Sequence, residues 1–308
     1  MKKVLNEWCI NAPWGEIALI SWGDPKGSPI LLVHGRQDSS AGFIPLLELL
    51  PDNYYYVALD LPGHGKSDPF PIGIMLQRFH YVAAISMVVD HLGWDKFMYL
   101  AHSMASELGL FYNAIYPNRV RKFILLDPGL SLVRLMKYLY NNFTDFYKKY
   151  DEYYTNYDDY VKDTRVYSKR KAIDAVKRAR GLTEEQAELI LSRNLQEIGP
   201  DQYRLSWDKR LKVLMTWYEP EDYYLELFSR NCPPLFIVSA AESLNYFDPK
   251  VSERMDGFFE KLRAKVDSFQ LVTVPGGHDV HITHPFRISK EICEFLETNY
   301  DHDYKSKL

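Results

Sequence analysis

The sequence reads Tyr99-Leu100-Ala101-His102-Ser103-Met104-Ala105 where a predicted strand, residues 97–101, meets a predicted helix, residues 106–116. A serine at a sharp strand-to-helix turn is presented as a nucleophile, provided that the residues two before and two after it are small. Glycine usually occupies both places, whereas this chain has Ala101 and Ala105. Alanine is small, but it adopts unusual backbone angles less readily than glycine. The segment therefore predicts Ser103 as a nucleophile, with a helix N-cap serine as the alternative.

Strand and helix patterns alternate on both sides of this turn. Two uninterrupted apolar runs, residues 29–33 and 54–59, precede it, and further strand patterns follow at residues 120–126, 233–239 and 269–274. Uninterrupted apolar strands are typical of a parallel sheet that is covered on both faces. Helical patterns between the strands indicate an α/β sheet with right-handed crossovers.

The pattern changes between about residues 130 and 230, which have helical spacing and are rich in Tyr, Lys, Arg and Asp. We therefore predict an α/β core formed by residues 1–129 and 231–308, interrupted by a helical cap, or lid, at residues 130–230. In the cap, Thr183-Glu184-Glu185-Gln186 is a capping box that predicts the start of a helix. A series of tyrosines fits either a helix packed on the core, which we favour, or a mobile lid over a pocket. These residues are Tyr147, Tyr150, Tyr153, Tyr154, Tyr157 and Tyr160.

A glycine-containing loop, His34-Gly35-Arg36-Gln37-Asp38, follows the first apolar run. An oxyanion hole needs one amide from the residue after the nucleophile and another from a loop after an earlier strand. The order of the motifs predicts Met104 and Arg36 for these two amides. We also expect His34, Gly35 and His102 to contact the substrate.

A histidine follows the last predicted strand in Pro275-Gly276-Gly277-His278. The glycine pair gives the chain freedom to bring His278 over the sheet edge towards Ser103. An acid should hold this base in the correct tautomer and stabilise its charged form. Glu242, which follows the strand at residues 233–239, is our preferred acid, and Asp127, at the end of another strand, is the alternative. Both lie between serine and histidine in the chain, as the fold requires.

Metal binding is the alternative interpretation of His278, His281 and His284, whose spacing of three would align them on a helix. No carboxylate recurs with them and Pro285 interrupts the segment, so we expect no metal, with His281 structural and His284 on the surface. The cysteines form no Cys-x-x-Cys pair, which argues against a zinc site and a disulfide framework and favours a reduced compartment. They are Cys9, Cys232 and Cys293.

The composition, with 46% apolar and 25% charged residues and a net charge of −4, is ordinary for a soluble globular protein. It gives no basic footprint for nucleic acid. No stretch approaches the roughly 18 uncharged apolar residues of a membrane span. The chain ends in Ser306-Lys307-Leu308, the tripeptide that the peroxisomal import receptor binds. We expect a peroxisomal protein with that receptor as a partner; a cytoplasmic location is the alternative.

Together these motifs resemble the α/β-hydrolase superfamily, and more closely its serine hydrolase-like proteins. The resemblance implies an α/β core with a helical lid and a Ser/acid/His triad on Ser103 and His278, with Glu242 at the position after the penultimate strand. The resemblance names no substrate. From the serine, histidine and amide pattern we expect cleavage of an ester-like bond, in a carboxylic ester or an acyl thioester of a small molecule, through an acyl-enzyme and without a cofactor. The alternative is a catalytically weak relative that binds a ligand. The resemblance is carried by Ala12-Pro13-Trp14-Gly15, Trp22-Gly23, His34-Gly35, Asp38, Tyr55-Tyr56-Val57-Ala58-Leu59-Asp60, Gly63-His64-Gly65, Ser103, Leu125-Leu126-Asp127 and Gly277-His278.

Overall fold

The computed structural model describes residues 4–136, 143–162, 165–214, 219–245 and 249–300. Its strands are β1 (Asn6–Ala12), β2 (Gly15–Gly23), β3 (Ser28–Val33), β4 (Tyr54–Leu59), β5 (Phe97–His102), β6 (Val120–Leu126), β7 (Leu195–Gly199), β8 (Gln202–Leu205), β9 (Leu235–Ala240) and β10 (Phe269–Val274). Its helices are α1 (Ile44–Leu47), α2 (Arg78–His91), α3 (Met104–Ile115), α4 (Gly129–Met136), α5 (Phe143–Thr155), α6 (Tyr157–Val161), α7 (Lys169–Arg180), α8 (Glu184–Asn194), α9 (Glu221–Ser229), α10 (Pro249–Arg263), α11 (Val280–Thr283) and α12 (Ser289–Glu297).

One sheet of eight strands, in the order β1-β2-β4-β3-β5-β6-β9-β10, organises the core. The first two strands form an antiparallel hairpin, and β2 also pairs antiparallel with β4. Every other neighbouring pair in this sheet is parallel. The mostly parallel α/β sheet predicted from the apolar runs is therefore confirmed.

Both faces of the sheet are buried, as the uninterrupted apolar strands predict. In β3, Leu31 and Val33 belong to the apolar cluster that includes α2 and α3. Ile30 and Leu32, which alternate with them, belong to the cluster that includes α1 and α12. Burying each such side chain contributes roughly 1.5–3 kcal/mol, so a strand with both faces covered favours apolar residues at every position.

The parallel strands place their following loops at one edge of the sheet. The loops after β3, β5, β6 and β10 all start at the carboxyl ends of parallel strands. Ligand and catalytic sites of open α/β sheets lie at this edge, because neighbouring loops converge there.

The segment between β6 and β9 adds no strand to the main sheet within its described part and lies over this edge. Most of it is helical, and Thr183 caps α8 in the reciprocal capping box that was predicted. The helical description was incomplete, however, because β7 and β8 form an antiparallel hairpin. The tyrosine series packs on the core at Tyr153, which is fully buried and donates its hydroxyl to the Ile74 carbonyl at 3.0 Å, while Tyr147 is exposed.

Buried arginines of the cap attach it to the core. Arg193 bonds Asp60 and Glu7. Arg210 donates to the carbonyls of Phe70 and Pro71, both at 2.6 Å. These contacts orient the cap over the carboxyl edge of the sheet. Within the described ranges, none of the helices combines the length and the apolar character that a bilayer crossing requires.

Candidate active site

Ser103 lies in a strained turn between β5 and α3. Its backbone angles are φ 54° and ψ −122°, an unusual conformation for a residue with a side chain. Such strain costs on the order of 1–3 kcal/mol and persists only where the surroundings enforce it. Here the Ser103 amide donates to the Leu126 carbonyl at 2.9 Å, and its own carbonyl accepts from the Ser106 amide at 2.9 Å and the Ser131 hydroxyl at 3.1 Å. The turn expected from the sequence is present.

Ser103, His278 and Asp127 form a continuous hydrogen-bonded chain. The distance from Ser103 Oγ to His278 Nε2 is 2.8 Å, and from His278 Nδ1 to Asp127 Oδ2 it is 2.5 Å. A carboxylate only accepts hydrogen bonds, so Nδ1 carries the ring proton and Nε2 is left to accept from the serine hydroxyl. This tautomer lets His278 take the proton of Ser103.

Asp127 is fixed by the adjacent strand rather than by solvent. The Asp127 amide donates to the Val238 carbonyl at 2.7 Å, and the backbone of Asp127 itself has a positive φ of 47°. Its Oδ1 accepts from the Ala240 amide at 2.9 Å and from the Ser243 hydroxyl at 3.1 Å. The second carboxylate oxygen is therefore aimed at His278.

The preference for Glu242 as the acid was wrong. Glu242 is exposed, and its backbone amide donates to the Gly276 carbonyl at 3.0 Å, in the loop before His278. Both ring nitrogens of His278 are already occupied, by Asp127 and Ser103. Asp127 directly follows β6, the neighbour of the serine strand. The last residue of β9, Ala240, gives it a backbone donor, and Ser243 after β9 gives it a hydroxyl donor.

Opposing influences set the pKa of His278. Burial disfavours the charged ring, but the hydrogen bond and charge of Asp127, together with the charge of Asp279, raise the pKa above its ordinary value of 6.5. The site therefore stabilises the imidazolium, which is the species that forms when the base accepts a proton.

The loop after β3 packs directly against the serine turn. A Cβ added to Gly35 would lie 3.0 Å from Ser103 Cβ, so only glycine fits without displacing the turn. This approach brings Arg36 to the same cavity surface as Ser103 and Met104. Met104 is the first residue of α3, where amides have no acceptor within the helix. The arrangement can present two amides to an oxyanion.

Two of the expected substrate contacts are wrong. His34 is absent from the cavity surface, because its Nδ1–H donates to the Gly35 carbonyl at 2.7 Å and its Nε2 accepts from the Leu61 amide at 3.0 Å. It braces two loops, and Gly35 is buried against Ser103. His102 does line the cavity, and its Nε2–H donates to the His278 carbonyl at 3.0 Å.

The histidines weighed as metal ligands have other surroundings. His281 is buried with its ring 4.1 Å from that of His102, and burial lowers its pKa to about 3. His284, expected on the surface, lines the cavity instead. A different set, Asp38, His102 and His281, has ligand-type atoms within 4.8 Å of one another. Asp38 already bonds a guanidinium at 3.1 Å, whose charge opposes a second cation there.

That guanidinium belongs to Arg180, which sequence reasoning missed. Arg180 ends α7 in the cap and donates to Asp279 at 2.8 and 2.5 Å and to Asp38 at 3.1 Å. Burial raises the pKa of Asp279, but the charge and hydrogen bonds of Arg180 outweigh this and hold it well below its ordinary value. Asp279 follows His278 and Asp38 ends the glycine-containing loop, so both could be placed near the site from the sequence. No sequence pattern in the cap identified Arg180 as their partner.

A cavity of about 1610 Å³ lies between the core and the cap. Ser103 and His278 face it from the core. The cap contributes a largely apolar wall that includes Val176, Leu205, Trp207, Leu211 and Leu214. The site can therefore receive a small molecule next to the serine.

Comparisons with known proteins agree with this architecture. Residues 28–285 match the family model for the alpha/beta hydrolase fold. "Serine hydrolase-like protein 2" of Homo sapiens is 28% identical over 309 aligned positions, covering 96% of each chain. "Serine hydrolase-like protein" of Danio rerio is 30% identical, covering 96% of this chain and 90% of the relative.

Solved structures show the same fold. A hypothetical protein from Pseudomonas aeruginosa is 26% identical and superposes with a TM-score of 0.78, over 95% of this chain and 98% of the other. A thioesterase domain from the curacin biosynthetic pathway is 20% identical with a TM-score of 0.75, over 94% and 99% of the two chains, and shows likeness of fold alone. The resemblance inferred from the motifs is confirmed, and the chain belongs to the alpha/beta hydrolase fold family.

Proposed function

We propose that this protein is a serine hydrolase that cleaves an ester-like bond of a small molecule through an acyl-enzyme. One observation carries the proposal: the distance of 2.8 Å between Ser103 Oγ and His278 Nε2, with Asp127 on the other ring nitrogen. A strained serine, a neutral base and a buried acid in this order make an activated nucleophile. The names of the full-length relatives, serine hydrolase-like, support the same class.

The reaction has two halves. In the first, Ser103 Oγ attacks the carbonyl carbon, its proton passes to His278 Nε2, and the amides of Arg36 and Met104 bind the oxyanion. The tetrahedral intermediate collapses as the bond to the leaving group breaks and His278 returns the proton to that group. In the second half, water attacks the acyl carbonyl while His278 Nε2 takes its proton. The bond from the acyl carbon to Ser103 Oγ then breaks, and His278 returns the proton to Oγ as the carboxylic acid leaves.

The substrate of this proposal is a carboxylic ester or an acyl thioester. The apolar wall of the cap favours an acyl chain or an aromatic group next to the serine. Movement of the cap over the site stays a prediction from the sequence.

A fluorophosphonate probe tests the nucleophile directly, because it reacts only with an activated serine. We expect labelling of the folded wild type and none of Ser103→Ala, together with a loss of about four orders of magnitude in turnover of p-nitrophenyl esters. Wild-type protein that is folded yet neither labelled nor active would favour the alternative, a relative that binds ligand without turnover.

Peroxisomal import also stays a proposal. Ser306, Lys307 and Leu308 lie outside the described residues, and the proposal depends on the tripeptide alone. A fluorescent protein fused before the last residues of the chain should colocalise with a peroxisomal marker. A diffuse cytosolic signal, the same as for a fusion without the tripeptide, would contradict it.

A further inference from the structure

The cavity surface carries a charge opposite to that of the whole chain. Among the described residues that line it, seven are basic and three are acidic. The full sequence has a net charge of −4. A cleft lined by positive charge has a positive electrostatic potential, which attracts anions even when the protein as a whole is negative.

Ion pairs occupy three of these bases. Arg78 is buried against Glu107, Arg180 is held by Asp279 and by Asp38, and Lys149 is paired with Glu152. The remaining acid of the lining is Glu242, which is exposed. The positive excess on the cavity surface is therefore not cancelled by these internal pairs.

Three of the remaining bases have no ion pair among the described residues. They are Arg178 of α7, Lys212 of the cap, and Arg287, which follows His278 in the core. Arg178 and Arg287 donate to the backbone carbonyls of Asp174 and Pro275 and retain their charge. Cap and core thus both contribute unpaired cations to one cavity.

Two of these cations, Arg178 and Lys212, lie towards solvent rather than beside the serine. Arg178 and Lys212 are exposed although they line the cavity, which places them where it opens, whereas Ser103 is 9% exposed. An extended substrate that has its carbonyl at Ser103 would bring its far end to these cations. We propose, on the basis of the proposed ester hydrolysis, that the natural substrate carries an anionic group, a carboxylate or phosphate, at the end that faces the cavity opening.

The anion can belong to the acyl part or to the leaving group, and two matched pairs distinguish these sources. In the first pair, p-nitrophenyl suberate carries a carboxylate where p-nitrophenyl octanoate carries a methyl group. In the second, the acetyl thioester of phosphopantetheine carries a phosphate that the acetyl thioester of pantetheine lacks. The measured quantity is the ratio of kcat/KM for the anionic over the neutral member.

Charge reversal at the opening tests the proposal. In Arg178→Glu/Lys212→Glu we expect the ratio to fall by about tenfold at low salt for at least one pair, and raising the ionic strength should lower the wild-type ratio too. The control is Lys26→Glu/Lys96→Glu, which makes the same charge change at exposed residues before β3 and β5, at the opposite edge of the sheet. Its ratios should match the wild type.

A binding measurement separates this proposal from the proposed function. Calorimetry with Ser103→Ala compares suberate monoamide with octanamide, and does not depend on turnover. Loss of affinity for the anionic amide in Ser103→Ala/Arg178→Glu/Lys212→Glu supports the anion site even if no ester is cleaved. The anion-site proposal would be overturned if charge reversal changed neither the kcat/KM ratios nor the affinity for the anionic amide, even if neutral esters are hydrolysed.

Discussion

Arg180 of the cap holds Asp279, the residue after His278, through two hydrogen bonds of 2.8 and 2.5 Å. The same guanidinium reaches Asp38 in the loop after β3. One cap residue therefore bonds both the loop that carries His278 and the loop after β3 that carries Arg36. The cap is thereby coupled to the geometry of the triad.

Arg180→Met should move the acid limb of the kcat/KM profile to higher pH. The charge of Arg180 lowers the pKa of His278 while the charge of Asp279 raises it, so losing the arginine alone raises this pKa. Because kcat/KM depends on the neutral form of His278, a higher pKa of this ring moves the acid limb to higher pH. The double variant Arg180→Met/Asp279→Asn removes both charges and should return the limb towards that of the wild type.

Arg193→Met provides the structural control for Arg180→Met. Like Arg180, Arg193 is a cap arginine paired with a buried core carboxylate, here Asp60, but its ion pairs are with Asp60 and Glu7 and not with the triad loops. Breaking either pair should cost about 3–5 kcal/mol of unfolding free energy, as measured by denaturant titration. Only the Arg180 variant should change the acid limb of the kcat/KM profile. An equal change in both variants would show that the shift follows from the loss of any contact between cap and core, and not from the charge of Arg180.

Asp127→Asn should reduce kcat by about four orders of magnitude, because an amide in this place favours the wrong tautomer of His278. Glu242→Gln, in contrast, removes an exposed charge that does not contact the ring, and kcat should stay within about twofold. Steady-state turnover of a neutral p-nitrophenyl ester measures both. Similar losses in the two variants would contradict the assignment of Asp127.

The choice between these carboxylates could not be made from the sequence. Asp127 and Glu242 follow β6 and β9, which are adjacent strands, so both carboxylates reach the same edge. The decision depends on backbone geometry, since the Asp127 backbone turns at φ 47° and the end of β9 supplies its donors. Such a turn leaves no pattern in residue types.

The fold and the serine turn were predictable for a different reason. Apolar runs such as Leu31–Val33 reflect burial on both faces, which is a local requirement of each strand. Ser103 and His278 likewise come within a few residues of the ends of predicted strands. Arg180 meets Asp279 across 99 positions, and His34 is turned from the cavity by its own loop, so neither arrangement was accessible to local reasoning.

Activity and stability should respond in opposite directions to pH around the titration of His278. The folded-state pKa is raised above the ordinary 6.5, so folding favours the protonated ring. This contribution to stability is complete below the unfolded pKa and is lost as pH rises through the folded pKa, while the neutral base gains activity. Denaturant titrations and kcat/KM across this window measure both. Asp127→Asn removes the hydrogen bond and charge that raise the pKa and leaves burial, which lowers it, so the stability change should disappear or reverse its sign.

Restoring glycine beside the nucleophile should not improve catalysis. The unusual backbone angle belongs to Ser103 itself, and neither Ala101 nor Ala105 has a positive φ. Both alanines are fully buried and fit the turn, so their methyl groups do not prevent it from forming. Ala105→Gly lies in the first turn of α3 and should lose about 1 kcal/mol of unfolding free energy, with kcat for a neutral ester within about threefold of the wild type. An increase of kcat by tenfold or more in Ala101→Gly or Ala105→Gly would mean that the alanines distort the nucleophile after all.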